Sequence, residues 1–214
     1  KINQSKSEFI KDKTKVLIIG GSHADDLHNA FFSNRNLFSN YDFVKSSKHK
    51  LKYIKNSHLI KEADIIVFSF RWNNDRINYI FESAIPELIK NNKKVVITSR
   101  TNEYKVRSKM YTLLDEKILF ENQNIKYFGL KNIYFKSRLL NSNSKINLKL
   151  KNLSKKNNLI FLNKEDYLCN VSKKECDYVT NDGYKIFYDY GHYTLEGAKY
   201  FGQKIHKMNW FNLN

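Results

Sequence analysis

At 214 residues, 41% hydrophobic and 14% aromatic, the chain is long enough for one domain with a full core. Its single proline and seven glycines exclude a collagenous, mucin-like or linker-rich chain, and no apolar run reaches the ~20 residues of a membrane-spanning helix. The formal net charge of +17 admits a polyanion partner, but the lysines are dispersed, with mild concentrations at 45–61 and 131–156 and no recognition-helix, zinc-finger or RNP-type pattern, so a solvated lysine-rich surface is the favoured reading and no specific nucleic-acid contact is expected.

The first strongly apolar run, Lys15–Ile19, reads as a strand and is followed by Gly20-Gly21-Ser22. Ala24, Leu27, Ala30 and Phe31 then recur at helical spacing. Tyr41–Val44 fits a short second strand. Asp64–Phe70 is near-continuously hydrophobic, as in a strand buried on both faces of a parallel sheet. Ile77, Ile80, Phe81, Ala84, Leu88 and Ile89 trace one side of a helix that tolerates Pro86, and Lys94–Thr98 is another buried strand. A helix is expected over Lys105–Leu114 and another within 131–156. Leu159–Leu162 is the last strand, 163–191 is irregular, and Thr194–Met208 closes the chain as a helix with Thr194 as N-cap and Glu196 in its first turn. Strands alternating with helices imply a parallel sheet covered on both faces, with reactive groups at the carboxyl ends of the strands.

Three groups of residues at that edge can carry chemistry. Ser22 is either a nucleophile or the N-cap of the helix it enters; no dinucleotide or P-loop glycine pattern is completed around it. Asp189-Tyr190-Gly191-His192 can project an acid and an imidazole together, the carboxylate reaching Nδ1 while Nε2 faces a substrate, the relation a serine nucleophile requires. Asn73 and Asn74, after the central strand, are either oxyanion donors with the Ser22 amide or a helix cap. His23, Arg71 and Trp72 are candidate substrate contacts. The other histidines (His28, His49, His58, His206) show no metal-ligand spacing, and no metal or cofactor is expected. Cys169 and Cys176 are either free thiols or a short disulfide-closed loop in an oxidising compartment.

Together these residues resemble the SGNH hydrolase family. Its first block, usually Gly-Asp-Ser, corresponds to Gly20-Gly21-Ser22, and its last, Asp-x-x-His, to Asp189–His192. Gly-Gly-Ser-His-Ala, a strand ending Ser-Phe-Arg-Trp, and Cys169 and Cys176 leading to Tyr188–Ala198 are most similar to the extracytoplasmic SGNH domains fused to acyltransferase-3 membrane proteins, which O-acetylate surface glycans. The chain departs from the pattern at Gly21, where an aspartate is usual, and at Arg71-Trp72-Asn73-Asn74, which lacks the glycine of the third block.

The resemblance implies a three-layer, flavodoxin-like α/β fold with a five-stranded parallel sheet in the order 2-1-3-4-5. It also implies a Ser22–His192–Asp189 triad and a Cys169–Cys176 disulfide. The expected organisation is a tail at 1–13, a catalytic domain at 14–208 and a C-terminal tail at 209–214; the start at Lys1 suits a domain from a longer chain. The expected activity is O-acetylation of a cell-surface polysaccharide, the partners being a glycan acceptor and a membrane acyltransferase domain in the same chain. The domain is expected to be monomeric, extracytoplasmic and tethered to the membrane. A free-standing carbohydrate or lipid esterase of the same fold, and a non-enzymatic polyanion-binding module, are the alternatives.

Overall fold

Apolar residues that point alternately to two covered faces organise the molecule, whose computed structural model describes residues 8–108, 110–121, 129–138 and 140–213. Strand β1 (Thr14–Ile19) leads into helix α1 (Ser22–Phe32) and β2 (Tyr41–Ser46). Two short helices, α2 (Leu51–Asn56) and α3 (His58–Glu62), precede β3 (Ile65–Phe68). After it come α4 (Asn74–Tyr79), a π-helical turn at Ile80–Ala84, α5 (Ile85–Lys90) and β4 (Lys94–Thr98). Helices α6 (Leu113–Glu121), α7 (Leu130–Ser137) and α8 (Leu140–Lys156) lead to β5 (Ile160–Leu162). The chain ends with α9 (Glu165–Leu168), the hairpin strands β6 (Cys169–Asn170) and β7 (Glu175–Cys176), and α10 (Leu195–Lys207).

The five strands β2-β1-β3-β4-β5 form one parallel sheet, the expected order. Val16, Ile18, Ile65, Val67 and Val96 face one core, with Ala24, Leu27, Ala30 and Phe31 of α1 and Ala198, Phe201 and Ile205 of α10. Leu17, Ile19, Ile66, Phe68, Val95 and Ile97 face the other, with Ile54, Ile60, Ile77, Ile85 and Leu150. This two-sided burial makes the strands read as unbroken apolar runs instead of an alternating pattern. Helices α1 and α10 approach closely because Gly202 has no side chain: a Cβ there would lie 2.2 Å from the Ala30 carbonyl oxygen.

Several boundaries differ from the sequence reading. The helix expected over Lys105–Leu114 begins at Leu113, because Thr112 and Asp115 form a reciprocal cap: the Asp115 N–H donates to Thr112 Oγ1 (3.0 Å) and the Thr112 N–H to Asp115 Oδ2 (2.8 Å). Pro86 lies in the first turn of α5, just after the π turn, whose widened bonding from the Ile85 N–H to the Ile80 carbonyl lets the continuous helix accommodate it. The residues expected to form a tail from 209 belong to the core. Trp210, Phe211 and Leu213 are buried, Trp210 Nε1 donates to the Asn163 carbonyl (2.8 Å), and Phe211 lies 4.8 Å from Phe31 between ring centroids. Of the expected N-terminal tail, residues 1–7 lie outside the described residues.

Candidate active site

The sheet order places the turn after β1 between the turns after β2 and β3. Gly20 is clasped from both sides: its N–H donates to the Ser46 carbonyl (3.0 Å), and a Cβ would lie 1.9 Å from the Ser69 carbonyl oxygen. Any side chain at Gly20 therefore prises β1 from the β3 turn. Gly21 is the N-cap of α1 and Ser22 its first helical residue, so Ser22 is not the cap that the sequence allowed. The N–H groups of Ala24 and Asp25 both donate to the Gly21 carbonyl, leaving those of Ser22 and His23 without a protein acceptor among the described residues. The Ser22 side chain is exposed and makes no hydrogen bond among the described residues.

One helical turn beyond Ser22, Asp26 lies on the same face of α1. It is buried, its Oδ2 is 2.7 Å from His192 Nδ1, and its Oδ1 accepts from the Tyr193 N–H (3.2 Å). This corrects the expectation for Asp189. Asp189 Oδ1 accepts from the backbone N–H groups of Gly191 (3.0 Å) and His192 (2.8 Å), closing its own loop, and so the Asp189 carboxylate does not hold Nδ1. With Nδ1 on Asp26, Nε2 is the ring nitrogen left for chemistry. The imidazole sits beside Tyr188 (5.9 Å between ring centroids, nearly parallel) and Tyr190 (5.6 Å, edge-on). Burial alone pushes the His192 pKa down, but the Asp26 hydrogen bond and charge, helped by Asp189 and Glu103, raise it above the ordinary value. Burial holds the Asp26 carboxyl above the ordinary aspartate range, and its bond to His192 opposes that rise.

Beneath Ser22 lies a buried polar floor. Glu103 is fully buried and gripped by Arg71 (Nε–Oε1 2.9 Å, Nη2–Oε2 2.7 Å) and Arg100 (Nη2–Oε1 2.8 Å), a doubly charge-assisted clamp. His23 Nε2 is 3.9 Å from Glu103 Oε1, while its Nδ1 is buried without a partner among the described residues. Burial, then the charges of Lys164, His192, Arg100 and Arg71, hold His23 well below the ordinary histidine pKa, so it stays neutral. Lys164 is fully buried; its ammonium donates to Ser69 Oγ (2.9 Å) and the His23 carbonyl (3.3 Å), pinning the first turn of α1 from below. Burial depresses its pKa to about 8.

The other sequence candidates separate. Arg71 is exposed at the rim, its guanidinium 5.6 Å from the Tyr190 ring centre. His23 is 1% exposed and belongs to the floor, not to a substrate-facing surface. Trp72 is fully buried, with Nε1 donating to the Thr98 carbonyl (2.8 Å), which removes it as a substrate contact. Asn73 Oδ1 caps α4 by accepting from the Arg76 N–H (2.9 Å), and Asn74 Oδ1 accepts from Lys149 Nζ (3.2 Å). These bonds occupy the carboxamide oxygens, Asn73 at the α4 cap and Asn74 toward Lys149 of α8, whereas an oxyanion donor would use Nδ2. Asp26, Glu103, Arg100 and Lys164 were missed. For Asp26 the signal was present, an acid four residues after a candidate nucleophile at the start of a helix.

Cys169 and Cys176 form a disulfide across the β6–β7 hairpin. Asn102 Nδ2 lies 3.1 Å from Cys169 Sγ, and the Asn102 carbonyl oxygen lies against Gly191, where a Cβ would come within 2.9 Å of it. The hairpin therefore buttresses the loop that presents His192. Among the described residues no group of three or more His, Cys, Asp or Glu side chains is placed to hold a metal, and no helix is long and apolar enough to cross a membrane.

Against known proteins, a family model described as the SGNH domain (fused to AT3 domains) matches residues 3–207. A search of curated proteins found no match. Among solved structures the chain is similar to the periplasmic domain of the lipopolysaccharide acetyltransferase of Salmonella ser. Paratyphi A, at 15% identity over 94% of this chain and 85% of that one, with a TM-score of 0.64. A structure from Desulfitobacterium hafniense DCB-2, named for the G-D-S-L lipolytic family, matches at 11% identity over 91% of this chain and 99% of that one, with a TM-score of 0.50. These likenesses concern the fold.

Proposed function

Because the chain belongs to the family of SGNH domains fused to AT3 domains, we propose that it transfers an acyl group through a covalent ester on Ser22. Membership supports an acyl-transfer or hydrolase role. The observation that carries the finer reading is the 2.7 Å bond between His192 Nδ1 and Asp26, one helical turn from Ser22.

His192 Nε2 takes the Ser22 hydroxyl proton as Oγ attacks the acyl carbonyl. The Ser22 and His23 amides, at the positive end of α1, receive the developing oxyanion. The tetrahedral adduct collapses, His192 returns the proton to the leaving group, and Ser22 carries the acyl chain. In the second half an acceptor hydroxyl gives its proton to His192 and attacks the ester; Ser22 leaves and recovers its proton. Asp26 fixes the imidazole with its proton on Nδ1 and stabilises the imidazolium. Asp189 holds the loop that presents the ring and adds negative charge.

The acceptor is a sugar hydroxyl of a cell-surface polysaccharide and the acyl group is acetyl; with water as acceptor the same steps give an esterase. The acyl donor is delivered by a membrane acyltransferase domain of the same chain, for which the family's fusion to AT3 domains speaks. On this reading the domain works as a monomer on the extracytoplasmic side, tethered to the membrane. The Salmonella neighbour, itself a periplasmic domain, agrees with that placement.

The test is labelling with a serine-reactive phosphonate and mapping of the adduct. Modification of Ser22 and protection by Ser22→Ala support the reading; an adduct on another serine overturns it. Product analysis with an acetyl donor, with and without oligosaccharide, separates transfer from hydrolysis.

A further inference from the structure

The turns on either side of Ser22 carry a group of cations with no acidic partner. After β2 the chain runs Ser47-Lys48-His49-Lys50, and after β3 it runs Phe70-Arg71-Trp72-Asn73-Asn74-Asp75-Arg76, in which Asp75 is the sole acid. The two turns pack together through aromatic rings. His49 lies 5.2 Å from Phe70 and 6.4 Å from Tyr79 between ring centroids, and the Leu51 N–H donates to Tyr79 Oη (2.7 Å). The cations rest on these rings: Lys48 Nζ is 5.9 Å from the centre of Tyr53, Lys50 Nζ 5.2 Å from Tyr79, and the Arg76 guanidinium 5.0 Å from Phe70. Arg76 Nη1 also donates to the Arg71 carbonyl (3.0 Å). From α8, Lys149 reaches the same helix, bonding Asn74 Oδ1 and Asn78 Oδ1.

Among the described residues no carboxylate lies within ion-pair distance of Lys48, Lys50, Arg76 or Lys149. Some cations elsewhere do find acids: Lys45 pairs with Asp25, Lys185 with Asp115, Lys204 with Asp177 and Arg138 with Glu165. A ring face attracts a cation and restricts a long side chain, yet leaves its charge uncancelled. The cluster is therefore partly ordered positive charge, set beside the turn that holds Ser22, since β1 lies between β2 and β3.

We propose that Lys48, Lys50, Arg76 and Lys149 form the acceptor subsite and that the acceptor is a polyanionic glycan, charged through carboxylate or phosphate groups along its chain. Several spaced cations suit a repeating charge better than one small anion, and the intervening rings suit the apolar faces of sugar rings. The proposal rests on the acyl-enzyme reading of Ser22 for its purpose, and its test reads binding apart from turnover.

The Ser22→Ala chain is titrated by fluorescence anisotropy with a labelled polygalacturonate oligomer, at low and at physiological salt, and with a neutral dextran oligomer of equal length. Binding of the acidic oligomer that weakens with salt, and a loss of at least about tenfold in Lys48→Ala/Lys50→Ala/Lys149→Ala, support the proposal. The matched triple Lys11→Ala/Lys61→Ala/Lys90→Ala, at the opposite edge of the sheet, should change binding by less than about twofold. Circular dichroism melts establish that both triples are folded, and Lys48→Gln/Lys50→Gln replaces a triple that is not. In the native chain the oligomer should also slow phosphonate labelling of Ser22. Equal losses in both triples, equal binding of dextran, tighter binding of a single-stranded oligonucleotide of equal charge, or labelling that the oligomer does not slow overturns the subsite. If Ser22 is not labelled at all, the acyl-enzyme reading fails while the anisotropy result stands.

Discussion

Helix α1 and the 188–193 loop each bring an aspartate to His192, and each uses it differently. On α1, Asp26 is held by a regular backbone that supplies its own hydrogen bonds, so both carboxylate oxygens are free to act across the site, one on His192 Nδ1 and one on the Tyr193 amide. In the loop no ladder satisfies the amides of Gly191 and His192, and Asp189 Oδ1 does so. A carboxylate near a histidine is thus available to it only when the surrounding backbone does not need it first. Rigid and loop-borne acids are assigned different tasks by that rule, and substitution can reverse or confirm the assignment.

The largest effect belongs to the residue both regions serve. Ser22→Ala should cut turnover of a chromogenic acetyl ester by at least about 1000-fold and leave the melting temperature within a few degrees, because the side chain is exposed and unbonded. Unchanged turnover would remove the nucleophile and with it the comparison.

Next is Asp26→Asn, which keeps the shape and removes the charge. Loss of the carboxylate should lower kcat/KM by about 100-fold or more, since the imidazole loses its preferred tautomer. The pH profile adds a signed check. Catalysis needs neutral His192, whose pKa is raised from 6.5 with Asp26 as the principal upward cause. Activity of the native chain should therefore fall as pH drops through a midpoint above 6.5. In Asp26→Asn that limb should move to lower pH. A limb that stays in place would mean that Asp26 does not govern the ring.

How much of this was legible follows the same division. The sheet was readable because strands buried on both faces give runs such as Ile65–Phe68, and α1 was readable from Ala24, Leu27, Ala30 and Phe31. Asp26 was hidden in plain view: an acid in the first turns of a helix has an ordinary electrostatic explanation, and only the position of His192, 166 residues away, gives it another. Glu103 has a local partner in Arg100, three residues before it, but its burial could not be read, since Arg71 arrives from 32 residues away. Asn73 was open to two readings, and its oxygen does cap α4, the reading a turn residue before a helix makes plain. The Trp210-Phe211 end followed a helix too closely to show any period, yet it fills the gap between α1 and β2. The local chemistry of turns and strands was visible; partners delivered by the tertiary fold were not.

The loop can also be weakened from outside. Cys169→Ser/Cys176→Ser should cost about 2–3 kcal/mol of stability, the range for a short disulfide loop, measured as a lowered melting temperature. Because Asn102 links Cys169 to Gly191, activity should fall by several-fold at temperatures well below the melt. Equal kcat/KM in native and double-serine chains would show that the 188–193 loop stands without the hairpin.

The smallest expected effect is the most discriminating. In Asp189→Asn the carboxamide oxygen can still accept from Gly191 and His192, so the loop keeps its shape and only a charge is lost. That charge is a lesser upward cause for His192 than Asp26 is. The acid limb should shift down slightly, and kcat/KM should fall by no more than about tenfold, or 1.4 kcal/mol. Asp189→Ala, which leaves two loop amides unserved, should lose more, with the excess appearing as lost stability and not as a further shift of the limb. If instead Asp189→Asn equals or exceeds Asp26→Asn in both rate and limb position, the loop acid is the one that steadies His192 in the working enzyme. The helix acid then becomes the structural one.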